Sequence, residues 1–196
     1  MELKGSKTEA NLQAAFAGES TARNKYDFYA SKARKDGYEQ IANLFAETAA
    51  NEKEHAERFY KLMKQYGTDP LPFAVTITAD FPVALGTTME NLLAAADGER
   101  EEHALLYPEF AKIARAEGFA DVGAAFDFIS TVEAHHEARY RKLADNIEKG
   151  LVFSRPESTE WICLNCGYVL TGTSAPDLCP ACLHPQAYYA LHCEDY

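Results

Sequence analysis

Two Glu-x-x-His pairs, Glu52 with His55 and Glu133 with His136, fall where helical periodicity calls for apolar core residues. Through the second pair the seam runs Val122, Phe126, Ile129, Glu133, His136, Tyr140, Leu143 and Ile147, in alternating steps of four and three that trace one helix face. Through the first it runs Ile41, Phe45, Thr48, Glu52, His55, Phe59 and Leu62. Ionised carboxylates are tolerated at the centre of such a face only where cations meet them. Two further seams carry the same intrusion. Glu19 lies among Leu12, Phe16, Arg23, Tyr26, Ala30 and Ala33, and Glu99 and Glu102 lie among Leu92, Ala95, Leu106, Phe110 and Ile113. Four helices thus turn carboxylates inward, and two add an imidazole one turn later. Oxygen-rich sites with one imidazole per metal suit iron or manganese better than structural zinc.

The pattern repeats within the chain. Ala17-Gly18-Glu19 through Glu52-Lys53-Glu54-His55 parallels Asp97-Gly98-Glu99 through Glu133-Ala134-His135-His136, and Ala33-Arg34-Lys35-Asp36-Gly37-Tyr38 parallels Ala114-Arg115-Ala116-Glu117-Gly118-Phe119. The offset is 80 at Glu19 and Glu99 but 81 from Tyr26 and Tyr107 onward, so the third helix carries one inserted residue between Glu99 and Tyr107. Helices absorb such an insertion as a π-bulge, a feature common at functional sites. Glu102 falls in that window without a counterpart in the first copy, and the bulge is expected to aim it at the metals. One Glu from each of two helices plus Glu-x-x-His from each of the other two resembles the donor pattern of ferritin-like di-iron and di-manganese bundles.

Helices are expected near 9–36, 38–66, 89–117 and 119–149, with Gly37 and Gly118 at tight turns. The stretch from Gly67 to Thr88, with three prolines and the alternating Phe73, Val75 and Ile77, is much longer than those turns. Helices of about 28 residues span about 42 Å, and an extended connection of about 20 residues reaches about 66 Å. The connection therefore suits a single long crossover, with exchange of hairpins between protomers as the alternative.

A second signal lies near the C-terminus: Trp161-Ile162-Cys163-Leu164-Asn165-Cys166-Gly167-Tyr168, then Cys179-Pro180-Ala181-Cys182. Two Cys-x-x-Cys knuckles can place four thiolates around one ion, and zinc and iron both accept four sulfurs. Trp161, Tyr168, Tyr188 and Tyr189 are expected to pack around these loops.

Cys-x-x-Cys-Gly-Tyr followed by Cys-Pro-x-Cys, with an aromatic two residues before the first cysteine, resembles rubredoxin. Joined to the helical donors, and to Phe16-Ala17-Gly18-Glu19-Ser20 and Phe45-Ala46-Glu47-Thr48, it resembles rubrerythrin over nearly the whole chain. The resemblance implies a mainly α protein: a ferritin-like di-iron four-helix bundle with one long crossover at 1–150, a linker at 151–158, and a small β-rich rubredoxin-like domain at 159–196. It implies a non-haem di-iron peroxidase that reduces hydrogen peroxide to water in oxidative-stress defence. Electrons would be relayed through the four-cysteine site and supplied from outside by a rubredoxin or an NAD(P)H-dependent reductase. The implied ligands of the di-iron centre are Glu19, Glu52, His55, Glu99, Glu102, Glu133 and His136, with one iron shifting between His55 and Glu102 as redox state changes. One iron, or zinc, would be held by Cys163, Cys166, Cys179 and Cys182. Tyr26 and Tyr107, matched across the repeat, are candidates for hydrogen bonding to the ligands or proton donation, or else are core tyrosines. A homodimer is implied if the small domain lies far from its own bundle.

The remaining expectations are negative. A formal charge of −11 argues against nucleic acid or anionic membrane as partners. With no apolar signal region or membrane-spanning run, the cytoplasm is the default. Glu47, Glu54, Glu101, His135 and Glu137 fall off the seams and are expected on solvated faces, with His103 at the surface too. His184, His192 and Cys193 lack ligand spacing. A ferroxidase or iron-storage protein and a non-catalytic, zinc-stabilised interaction protein are the competing readings.

Overall fold

The computed structural model describes residues 2–77 and 81–194. α1 (Lys7–Lys35) and α2 (Glu39–Tyr66) form one hairpin. α3 (Thr88–Glu101), a π-helical segment (Glu102–Leu106), α4 (Tyr107–Ala116) and α5 (Ala120–Glu148) form the other. Side-chain caps start the leading helices: the Ser6 hydroxyl accepts from Glu9 N–H, and Thr87 and Glu90 form a reciprocal capping box. The two turns are copies of one another. Gly37 (φ 86°) and Gly118 (φ 85°) take the left-handed conformation, and the next residues, Tyr38 and Phe119, donate back to Ala33 and Ala114 carbonyls at 2.9 and 2.8 Å.

The bundle core is divided. One cluster, including Leu12, Phe59, Leu62, Tyr107, Val122 and Phe126, fills one end, and a second, including Tyr26, Tyr29, Phe45, Leu92 and Tyr140, fills the other. Each cluster draws on both hairpins of the same chain. Glu19, Glu52, Glu99, Glu133 and His136 lie buried in the layer between them.

Two seams differ from expectation. On α1 it is Ala22, not Arg23, that turns inward, and Arg23 is exposed. Beyond the π segment the buried row is Tyr107, Ala111 and Ala114, whereas Leu106 is 37% exposed and Phe110 and Ile113 are only partly buried. The inserted residue advances the inward face by one position, which a straight 3.6-residue count does not include.

The described residues of the connection and its flanks meet α1 near both of its ends. Lys4 Nζ meets Asp69 Oδ2 at 2.9 Å, Tyr29 OH donates to the Ala84 carbonyl at 2.9 Å, and Thr88 N–H and Oγ1 both donate to Asp36 Oδ2. Among its described residues no strand forms; Phe73 and Ile77 are half-buried and Val75 is exposed, while residues 78–80 lie outside the described residues.

The C-terminal part is a three-stranded antiparallel sheet in the order β2-β1-β3, built from β1 (Ser154–Cys163), β2 (Val169–Ser174) and β3 (Tyr189–Leu191). β1 begins inside the segment expected as linker, pairing Ser154 with Ser174. Trp161, Cys163, Ala175, Cys179 and Tyr189 make its core, whereas Tyr168 is 39% exposed rather than packed on the metal loops. Phe153 stacks on Tyr38 (6.0 Å between centroids, 5° between planes), which seats the sheet at the α1–α2 turn of its own bundle.

Candidate metal centres

The mid-bundle layer resolves into two overlapping donor sets. Glu19, Glu52, His55 and Glu133 bring one donor atom each within 4.8 Å of one another, as do Glu52, Glu99, Glu133 and His136. Glu52 and Glu133 belong to both, each turning one oxygen to each histidine. His55 Nδ1 lies 2.9 Å from Glu52 Oε2 and 2.8 Å from Glu133 Oε1, while His136 Nδ1 lies 3.3 Å from Glu52 Oε1 and 2.8 Å from Glu133 Oε2. Glu19 serves only the first set and Glu99 only the second.

The donor chemistry fits a pair of cations, one for each set, with Glu52 and Glu133 available to both. Glu19 Oε2, Glu99 Oε2, both oxygens of Glu52 and of Glu133, and Nδ1 of both histidines are buried without a hydrogen-bond partner among the described residues, although they crowd within contact of one another. Lone pairs converging on one interior point are costly unless a cation sits there. The electrostatics carry the same strain. Burial, with Glu52 and Glu133 adding to it, pushes Glu99 up to about 8, and burial also drives Glu19 well above the usual carboxylate range. Glu133 goes the other way: burial would raise it, but His136 and His55 hold it down at about 2. Burial would lower His136, yet Glu133, Glu52 and Glu99 lift it to about 11, and His55 is raised by its own three carboxylates.

Tyr26 and Tyr107 cross between the repeats. Tyr26 OH donates to Glu99 Oε1, and Tyr107 OH donates to Glu19 Oε1 at 2.5 Å, so each copy's tyrosine holds the other copy's glutamate. Burial raises both phenols well above their ordinary value.

Glu102 belongs to neither set. It leans on α1, where a Cβ on Gly18 would stand 3.6 Å from its Oε1, and it joins Tyr26 and Tyr107 in the wall of a cavity of about 340 Å³ between α1 and the π segment. Burial and the neighbouring Glu19 and Glu99 raise its carboxyl well above the usual range. The structure thus gathers six of the seven implied ligands and sets the seventh alongside.

Two surface expectations are corrected. His103 and Glu137 are both half-buried, His103 Nε2 lying 2.6 Å from Glu137 Oε2, because the π segment turns His103 toward α5. Glu47, Glu54, Glu101 and His135 are exposed as expected. Tyr140, one turn after His136, was missed as more than a seam residue: its hydroxyl is buried with no hydrogen-bond partner among the described residues, and it packs on Tyr26 at 5.5 Å.

The cysteine site is built from two like knuckles. Gly167 N–H donates to the Cys163 carbonyl at 2.8 Å and Leu183 N–H to the Cys179 carbonyl at 2.9 Å, and both donors have positive φ, 78° and 59°. Sγ of Cys163 and Cys182 are 3.8 Å apart, and those of Cys166 and Cys179 3.7 Å. A disulfide would need about 2 Å, whereas a tetrahedron of sulfurs each about 2.3 Å from one ion has edges of about 3.8 Å. The His184 backbone N–H holds Cys182 down at about 6, favouring the thiolate a metal requires. His184 Nδ1 lies 3.3 Å from the Cys182 carbonyl and His192 Nδ1 2.9 Å from Glu160 Oε2, so neither histidine joins the thiolates.

Comparison with known proteins covers both sites. The Rubrerythrin family pattern matches residues 10–144, and the pattern of the rubrerythrin rubredoxin-like domain matches 161–190. The chain is 53% identical to rubrerythrin-1 of Clostridium acetobutylicum over 99% of this chain and 98% of that one. It is 54% identical to a rubrerythrin of Porphyromonas gingivalis over 95% and 90%. The solved structure of fully reduced, all-ferrous nigerythrin superposes with a TM-score of 0.62 at 31% identity, covering 96% of this chain and 87% of that one. A bundle holding candidate di-iron donors, followed by a four-thiolate rubredoxin-like module and matched along its length at about half identity, makes the chain a member of the rubrerythrin family.

Proposed function

We propose that this protein is a peroxidase that reduces hydrogen peroxide to water, the finer form of the iron-based oxidative-stress role its family supports. The observation that carries the reading is the presence, in one chain, of two donor sets that share Glu52 and Glu133 and of a separate four-thiolate site. When bound, the paired irons would supply two electrons to the O–O bond and the cysteine-held iron would return them singly. Glu19, Glu52, His55, Glu99, Glu133 and His136 would hold the pair, with Glu102 the carboxylate in reserve. The net reaction consumes two protons per peroxide, and the chain holds them nearby. Tyr26 and Tyr107 carry hydroxyl protons on the ligands Glu99 and Glu19, at the wall of a cavity wide enough for a small oxidant.

The small module sits at the α1–α2 turn, and helical rise puts that turn about 27 Å along α1 from Glu19. That separation favours delivery of electrons to the bundle of a second subunit, hence a homodimer fed by a rubredoxin or an NAD(P)H-dependent reductase. Among the described residues no helix is long and apolar enough to cross a membrane, and a cytoplasmic setting accords with thiolates left as ligands.

Anaerobic stopped-flow mixing of the reduced, iron-loaded protein with peroxide or with dioxygen tests the assignment. Faster oxidation by peroxide, followed by oxidation of the cysteine site, is expected. Faster oxidation by dioxygen would favour a ferroxidase and overturn the peroxidase assignment.

A further inference from the structure

We propose that Ser130 and His103, which belong to neither donor set, are positioning residues that clamp the π segment to α5 and so fix Glu102 beside the di-metal site. The need for a clamp follows from the backbone. Tyr107 N–H donates to the Glu102 carbonyl, five residues back. The next N–H in that register would belong to residue 108, which is proline and has none. The His103 carbonyl therefore has no backbone donor in the π register, and the Ser130 hydroxyl supplies one at 3.1 Å. Proline and serine together define where the widened turn ends: the first withholds a donor and the second replaces it.

The His103 side chain makes the second attachment. Its Nε2 lies 2.6 Å from Glu137 Oε2. The other oxygen, Glu137 Oε1, accepts from Arg141 Nε at 2.6 Å, and Arg141 Nη2 reaches Asp97 Oδ1 at 3.0 Å, which carries the brace onto α3. The π segment is thus held from α5 by backbone and side chain, while on its α1 side Glu102 faces Gly18, where a Cβ would stand 3.6 Å from its Oε1. A carboxylate outside both donor sets needs a fixed backbone if it is to stay aimed at them.

The inference rests on Glu102 serving the metals, and its test does not depend on peroxidase activity. Hydrogen exchange in the full chain stripped of metal would be compared for the parent, Ser130→Ala and His103→Ala. Exchange at the amides of 103–107 is expected to rise by about tenfold in each variant, the factor one ordinary hydrogen bond brings, with α5 unchanged. Cobalt(II) spectra would follow, with Glu102→Gln as reference. The two clamp variants are expected to shift the spectrum in the same direction as Glu102→Gln, and Ser130→Thr and His103→Gln to restore it. Unchanged exchange overturns the clamp. Faster exchange with an unshifted cobalt spectrum, or a parent spectrum in Glu102→Gln, overturns the link to Glu102. A protein inert to peroxide that still shows both shifts would refute the peroxidase reading and leave this one standing.

Discussion

Leu183 holds a left-handed backbone φ of 59° while its side chain is 74% exposed. The second knuckle therefore carries a backbone cost that its side chain does little to offset, where the first uses Gly167 for the same turn. Leu183→Gly is expected to stabilise the small module by about 0.5–1 kcal/mol. The chain has one tryptophan, Trp161, buried in that module, so its fluorescence during denaturation reads the module directly; an earlier transition in the variant would contradict the argument. At this scale the sequence showed the bundle carboxylates and histidines that the structure brings together, but little of what surrounds them. Each donor was a polar residue in an apolar row, a local signal. His103 and Glu137 looked like surface residues because their burial depends on a helix rotation and on each other, 34 positions apart.

Among the elements, the π segment has the largest effect. The repeat offset located it before any geometry, because an insertion in one copy breaks a count that the other copy preserves. What the count did not convey was the consequence downstream, where the buried row shifts to Tyr107, Ala111 and Ala114. Deleting Ala104, an exposed residue of the segment, should let α3 and α4 join as one regular helix with α4 still in place. The expected result is full helical content by circular dichroism and retained cooperative unfolding, together with a changed cobalt spectrum as Glu102 turns away. Loss of the fold would show that the segment is needed for packing rather than for aim. The connection was legible in length and route but not in conformation: its alternating apolar residues meet a helix instead of a neighbouring strand, and alternation alone gives no ladder.

For the whole molecule, burying so many ionisable groups ties stability to protons and metal alike. In protein stripped of metal, Glu99 is raised from 4.5 to about 8 and His136 from 6.5 to about 11. Both bind protons more tightly folded than unfolded, so their contribution is complete below 4.5 and 6.5 and is lost as pH rises through about 8 and about 11. Glu133, lowered to about 2, acts oppositely, but its contribution is already in place above 4.5. Stability of the stripped protein to urea should therefore fall as pH rises from about 4.5 to about 11, most steeply between 6.5 and about 8 where both groups lose protons, while the iron-loaded protein, with cations in place of those protons, stays nearly level. A level profile for the stripped protein would show that the layer is not proton-loaded.

The two donor sets share Glu52 and Glu133, and each histidine's set takes its fourth donor from the opposite hairpin. A hairpin docked in the wrong register, or against the wrong partner, offers an ion three donors instead of four. A bound ion would therefore hold correctly joined hairpins more tightly than misjoined ones, so that metal binding and correct docking of the hairpins would favour each other.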